Sequence, residues 1–382
     1  MTTRLHRTKV HNSEKGIMSE MENRYPRFEI NLANLQHNAA TIVDKCSRHG
    51  IQVAGVIKGC TGLPEAAKAI DRGGVAMIAS SRLEQIEDAI NAGIEKPILL
   101  IRTPMLSEIR DVIRLTNISL NSDLEVLKAL NEEARAQDKI HQVILMVDLG
   151  DLREGYWEKD ELTQVAEYAE NELSNIKLIG VGTNLGCYGA IVPTRDKLDE
   201  LVEVAEKIEA KIGHELEYIA GAATLSLMRI WDNDIPERIN LLRVGEGILT
   251  ARSLSFFHGY DLSELSQEVF RLKAEVIEVK NKPSYPVGTI TVDAFGRTPT
   301  YTDRGMRKRA LVAVGKVDYG DPADIFSAEK GVEILGASSD HTIVDIEDAE
   351  RDFKVGGIMT FDVCYSSIVY LTNCRNVNIA FV

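Results

Sequence analysis

Residues 52–58 read QVAGVIK, an apolar run that ends in a lysine and gives way to Gly59, Cys60, Thr61 and Gly62. A strand that alternates apolar and polar residues has one wet face, whereas a continuous apolar run is what a parallel strand covered on both sides requires. Seven further runs share this texture: VAMIA (75–79), PILLIR (97–102), ISLN (118–121), QVILMVD (142–148), KLIGVGT (177–183), ELEYIA (215–220) and NLLRV (240–244). Between them, Leu63–Arg72, Arg82–Ala92, Ser122–Ala136, Lys159–Asn171 and Thr194–Ile212 carry apolar residues at helical spacing. Eight strand-then-helix units within roughly 200 to 250 residues predict a (β/α)8 TIM barrel, whose chemistry gathers at the C-terminal ends of the strands.

Beyond Ser255 the texture changes. Val269–Val279, Thr289–Val292, Ala310–Val314, Val332–Leu335, Thr342–Ile346 and Ile358–Val363 read as short strands bounded by turns, with little helix between them. The expected organisation is a polar leader over 1–24, a barrel over 25–255 and a mostly β C-terminal domain over 256–382. Arg4, Arg7, Lys9 and Lys15 give the leader a basic flavour, but Glu14, Glu20 and Glu22 interrupt it, so it reads as a polar extension and not as a targeting peptide.

Composition narrows the partners. A net charge of -14 repels polyanions on average, which argues against a nucleic-acid binder. Five cysteines without a CxxC pair suggest neither a disulfide framework nor a metal site, and fit a reducing cytoplasm. No apolar run approaches the ~20 residues a membrane span needs.

The strand ends carry the chemistry. Lys58 at a barrel mouth is placed where desolvation frees its amine to condense with an aldehyde. The fifth run leads into Asp148-Leu-Gly-Asp-Leu-Arg153-Glu-Gly155, which offers an arginine fork on a glycine-flanked loop. The eighth ends in Arg243-Val-Gly245-Glu246-Gly247, where glycines admit an oxyanion close to backbone N–H groups, and Thr224 offers a hydroxyl nearby. Each has a plainer reading as a surface lysine, a turn glycine or a helix cap. Together they describe what a phosphorylated pyridine aldehyde needs.

In order and from Arg24 to the end, these motifs resemble the alanine racemase and ornithine racemase group of fold type III pyridoxal-phosphate enzymes. The resemblance implies pyridoxal 5'-phosphate as cofactor, bound by Lys58 of VIKGCTG as a Schiff base. It implies that Arg153 of DLGDLREG contacts the cofactor's phenolic oxygen and the substrate carboxylate. Arg243 would face the pyridine nitrogen, with Thr224, the amides of Gly245 and Glu246, and Tyr365 of DVCYSS holding phosphate. Asn184 stands where the family has a ring-stacking histidine, and Met146 where it often has a modified lysine. Phe295, in VDAFG, stands where alanine racemases use a tyrosine of the partner subunit as the second acid/base. These departures favour the ornithine racemase branch, which this chain also resembles over DAFG and over Ile334–His341.

Racemisation needs a base on one face and an acid on the other. Lys58 supplies one. Asp293, His341 and Tyr301 are the candidates for the other, His341 because imidazole titrates near neutrality. Asp340, with Asp293, would meet the side-chain ammonium of ornithine or lysine. The expected protein is therefore a homodimeric amino-acid racemase acting on a basic amino acid, with no metal. Alternatives are an alanine racemase, a decarboxylase of the same fold type, for which Cys364-Tyr365-Ser366 is a loose echo of a C-x-S motif, and a non-catalytic cofactor carrier, which the extra residues after Ser255 oppose.

Overall fold

A computed structural model describes residues 24–382; the leader, save Arg24, lies outside the described residues. The chain divides into two compact units. One comprises Ile30–Phe270 with Cys364–Asn373 and Phe381–Val382, and the other comprises residues 24–29, Arg271–Val363 and Cys374–Ala380.

The first unit is a closed parallel barrel. After a short strand, β1 (Arg27–Ile30), which belongs to the other unit save for Ile30, comes the barrel unit's helix over Leu32–Ser47, started by Asn31, whose side chain accepts from the Asn34 amide at 2.9 Å. The barrel strands follow: β2 (Gln52–Val56), β3 (Met77–Ser80), β4 (Ile98–Leu100), β5 (Ile118–Asn121), β6 (His141–Met146), β7 (Ile176–Thr183), β8 (Tyr218–Gly221) and β9 (Leu241–Val244). All eight coincide with the apolar runs. Closure comes from β2 pairing with β9, Gln52 opposite Leu241 and Gly55 opposite Val244. Side chains such as Ala54, Met77, Leu99, Leu120, Ile144 and Ile179 fill the interior, all buried. Removing one, as in Leu99→Ala, costs roughly 2–5 kcal/mol, because the transfer term and the cavity left behind add. Gly55 shows how tightly the outer helices sit: a Cβ there would lie 2.6 Å from Cγ2 of Ile70, on the helix Pro64–Arg72.

The second unit is an antiparallel sheet. After β10 (Phe270–Pro283) come β11 (Met306–Val312), β12 (Ile325–Ser327), β13 (Glu333–Ala337), β14 (Thr342–Asp345), β15 (Ile358–Val363) and β16 (Asn378–Phe381). Their order is β12-β15-β10-β11-β14-β13, with β1 pairing β10 and β16. Two features depart from the sequence reading. Thr289–Val292 is not a strand but part of an irregular connection between β10 and β11. Its β-branched residues have strand propensity, yet Val292 is 63% exposed, and no neighbouring face gives that propensity something to bury against. Tyr365–Asn373 forms a helix that belongs to the barrel unit, anchored by buried Ile368 and Leu371.

Candidate active site

The strand β2 stops at Val56, and Lys58 opens a single 3-10 turn, Lys58–Cys60, closed by Thr61 and Gly62 at φ 50° and 72°. Gly62 is required on two counts, since a Cβ there would also lie 2.9 Å from the backbone of Gln85. This turn points the Lys58 amine into a cavity of about 560 Å³ at the barrel mouth, which Arg153, Asn184, Thr224, Arg243, Gly245, Glu246 and Tyr365 also line. Residues from five different strand ends and from the C-terminal helix thus meet around one amine. Gly59 makes room for the last of them: a Cβ there would be 2.6 Å from Cε2 of Tyr365.

The electrostatics follow from this crowding. Burial lowers the pKa of Lys58, and the positive charges of Arg153 and Arg243 lower it further, while Cys187 and Glu154 act in the opposite sense. An amine driven toward its neutral form is a nucleophile. Arg243 is 5% exposed. Its Nη2 donates to the carbonyl of Thr183 at 2.5 Å and its Nη1 lies 3.9 Å from Sδ of Met146, so its partners are neutral. Burial pulls its pKa down to about 10, Glu154 opposing and Arg153 reinforcing. Tyr365 is pushed up to about 12, chiefly by burial, and so carries its proton at neutral pH.

Arg153 is differently placed. It pairs with Glu154 through two hydrogen bonds, and its Nη1 donates to Sγ of Cys187 at 2.9 Å. The Glu154 bonds hold its pKa above the ordinary arginine value. Thr224 Oγ1 accepts from the amide of Gly247 at 3.0 Å, which joins the turns after β8 and β9. The Glu246 carboxylate accepts from Thr250 Oγ1, the Ser253 amide and Ser253 Oγ, leaving its backbone rather than its side chain for a ligand. Asn184, 7% exposed, donates from Nδ2 to Asp151 at 3.0 Å.

The remaining predicted residues lie in the β unit. Asp293, Phe295 and Tyr301 line a separate cavity of about 940 Å³. Asp293 Oδ1 accepts from the amides of Phe295 (2.8 Å) and Arg297 (2.9 Å), bonds that hold its pKa below the usual carboxylate range. His341 and Asp340 sit on the exposed turn between β13 and β14, His341 Nδ1 3.4 Å from Ser338 Oγ and Asp340 accepting from Ser339 Oγ. Lys316, which sequence reading passed over, places its Nζ 4.1 Å above the Phe295 ring and 4.0 Å from Asp293 Oδ2. Also unforeseen were Asp151, Glu154 and Cys187 at the barrel mouth. Glu154 had a signal, its adjacency to Arg153; the others meet across more than thirty residues of sequence. Among the described residues no cluster of metal-ligating side chains occurs, and no helix is long and apolar enough to cross a membrane.

Fold and site together define a barrel protein whose mouth gathers a half-buried lysine, two arginines and glycine-flanked turns around one cavity. The chain belongs to the alanine racemase family: residues 30–252 match the family model described as alanine racemase, N-terminal domain. It is 40% identical over 346 residues to the ornithine racemase of Acetoanaerobium sticklandii, covering 90% of this chain and 96% of that protein. It is 39% identical over 345 residues to the lysine racemase of Thermotoga maritima, covering 90% and 95%. Among solved structures, the alanine racemase of D-cycloserine-producing Streptomyces lavendulae superposes with a TM-score of 0.73 at 18% identity, over 93% of this chain and 96% of that one. At that identity the likeness speaks for the fold alone.

Proposed function

We propose that this protein racemises a basic amino acid, ornithine or lysine, with pyridoxal 5'-phosphate held on Lys58. The observation that carries the reading is the convergence on one cavity of a half-buried amine with lowered pKa, a buried arginine whose hydrogen-bond partners among the described residues are neutral, and the Thr224 and Gly245–Gly247 turns. The residues fit the cofactor: the amine suits its aldehyde, the uncompensated Arg243 a ring nitrogen, and glycine-rich backbone its phosphate. Bound there, the cofactor supplies an electron sink that acidifies the Cα–H of an amino acid attached through its amine.

The chain's own groups do the rest. Lys58 Nζ takes or returns the Cα proton on one face. Arg243, which keeps its own proton, would donate to the ring nitrogen and leave it unprotonated, weakening the sink and favouring rapid reprotonation over longer-lived side chemistry. Arg153, at the rim, would orient the substrate carboxylate once that carboxylate competes with Glu154 for its fork. Thr224, the backbone of Gly245 and Glu246, and Tyr365 would hold phosphate. For the opposite face we retain Asp293, His341 and Tyr301, supplied by the β unit of a second copy in a homodimer. Asp293 serves better as a fixed negative charge, since its turn stabilises the ionised form. With Asp340 it would receive the substrate's side-chain ammonium, so Asp340→Asn should narrow the preference for basic over small amino acids.

The relatives named for ornithine and lysine racemisation support the substrate class. The test is to incubate the purified, cofactor-loaded protein with each L-amino acid and follow optical rotation together with carbon dioxide. Rotation lost without gas, for ornithine and lysine first, is the expected result. Gas release would make it a decarboxylase, and silence toward every amino acid would leave a cofactor carrier.

A further inference from the structure

Asp151 is a carboxylate with 1% of its surface exposed and no ion pair among the described residues. It is nevertheless fully occupied. Its oxygens accept from Nδ2 of Asn184 at 3.0 Å and from the amides of Cys187, Tyr188 and Gly189 at 3.3, 3.1 and 3.2 Å. Four N–H groups directed at one buried carboxylate satisfy it without a cation. The donors all lie on the loop after β7, and Asp151 lies on the loop after β6.

We propose that Asp151 is a positioning residue that latches these two loops together and so sets which atoms the barrel mouth presents to a ligand. This rests on reading that cavity as the place of reaction. Three observations carry it. First, the loops meet backbone to backbone: a Cβ on Gly189 would lie 2.6 Å from the Asp151 carbonyl oxygen and 2.9 Å from its Cα. Second, Asp148 does a different job next door. Its Oδ1 accepts from Gly150 and Leu152 amides at 2.8 and 3.1 Å, folding its own loop, with Leu152 at φ 55°. Asp151 instead reaches across to the neighbouring loop, where it takes four N–H groups beside the single Arg153–Cys187 contact. Third, both ends of the latch bear cavity residues: Asn184 and Cys187 line the cavity with Lys58, and Cys187 Sγ receives Arg153 Nη1.

The latch has a chemical consequence. A carboxylate only accepts, so it takes the NH2 end of the Asn184 amide and leaves Oδ1 as that side chain's remaining polar atom. Asn184 lines the cavity, and its Oδ1 is left to accept from a ligand that carries N–H or O–H, such as an ammonium. Asp151→Asn turns a donor toward the same N–H groups and releases the Asn184 amide to flip.

The test uses the full chain loaded with pyridoxal phosphate and compares wild type, Asp151→Asn and Gly189→Ala by amide hydrogen exchange. The amides of Cys187, Tyr188 and Gly189 should exchange roughly tenfold faster or more in both variants, while Gly150 and Leu152 keep their protection. With L-ornithine, KM should rise roughly 10- to 100-fold with a smaller change in kcat, as expected when binding groups are misplaced and the reacting amine is not. Unchanged exchange at the three amides overturns the latch. Loosened amides with unchanged KM overturn the positioning role, as does protection lost evenly across the protein. If the wild type racemises nothing, the proposed function falls, and the exchange pattern by itself still decides whether the two loops are latched.

Discussion

Arg243 at the barrel mouth and Arg307 in the β unit are both largely withdrawn from water, and their surroundings differ in one respect. Arg307 has its anions inside the fold: Nε and Nη2 reach Asp345 at 2.9 and 3.1 Å, Nη2 also meets Asp348, and Arg304 adds a contact to Asp345 at 3.4 Å. Those bonds hold Arg307 above the ordinary arginine pKa. Arg243 has the Thr183 carbonyl and a thioether, and burial drags its pKa down to about 10. A buried cation whose countercharge is built in belongs to the architecture. One that is left uncompensated costs stability in the free protein and is retained where a ligand completes it.

The difference can be broken or sharpened by substitution. Lys58→Ala should have the largest effect, lowering racemisation by roughly 10³-fold or more, because it removes the amine proposed both to anchor the cofactor and to carry one proton. Borohydride reduction of the loaded protein, followed by peptide mapping, should label Lys58; label on another lysine would displace the whole site.

Arg243→Leu should reduce turnover by roughly 10²-fold while the cofactor-free protein melts no lower than wild type. A clear drop in its melting temperature would mean that the Thr183 bond matters more than the buried charge.

His141 tests a third solution to burial, that of staying neutral. At the start of β6 its Nε2 is 2.8 Å from Ser119 Oγ, and burial lowers its pKa from 6.5 to about 4. Between those values the unfolded chain holds the proton and the folded one does not. Stability should therefore fall as pH drops from about 6.5 to about 4, by roughly 3 kcal/mol at most from this group. Denaturant titrations across that range should show a shallower fall in His141→Gln.

Asp345→Asn should have the smallest and most local effect: a loss of roughly 2 kcal/mol in unfolding free energy, since the two arginines lose their shared anion, with turnover per folded molecule unchanged. Altered turnover would make that cluster part of the reaction rather than of the framework.

Much of the fold was legible because a strand buried on both faces writes itself as a short apolar run, and eight such runs are hard to read otherwise. The β unit was harder. Thr289–Val292 looks like a strand locally and finds no partner, while β12 and β16 are three- and four-residue pieces created by pairing. At the site, Lys58, Arg153, Thr224, Arg243, Gly245 and Glu246 could be picked out by their places at strand ends, Asn184 and Tyr365 only by the family resemblance, and all eight line one cavity. Asp151 could not. Nothing local separates it from Asp148 three residues earlier; its four donors stand 33 to 38 residues away and become neighbours only when β6 and β7 lie side by side.

Tyr365 reaches the barrel mouth from a helix that comes after the entire run of β10 to β15. Synthesis from the N-terminus can therefore close the ring of eight strands long before it supplies that side chain. A nascent chain halted between residues 245 and 364 would own all eight barrel strands and an unfinished pocket. The role proposed for Tyr365 should thus arrive late and abruptly on the ribosome, about 120 residues after the last barrel strand.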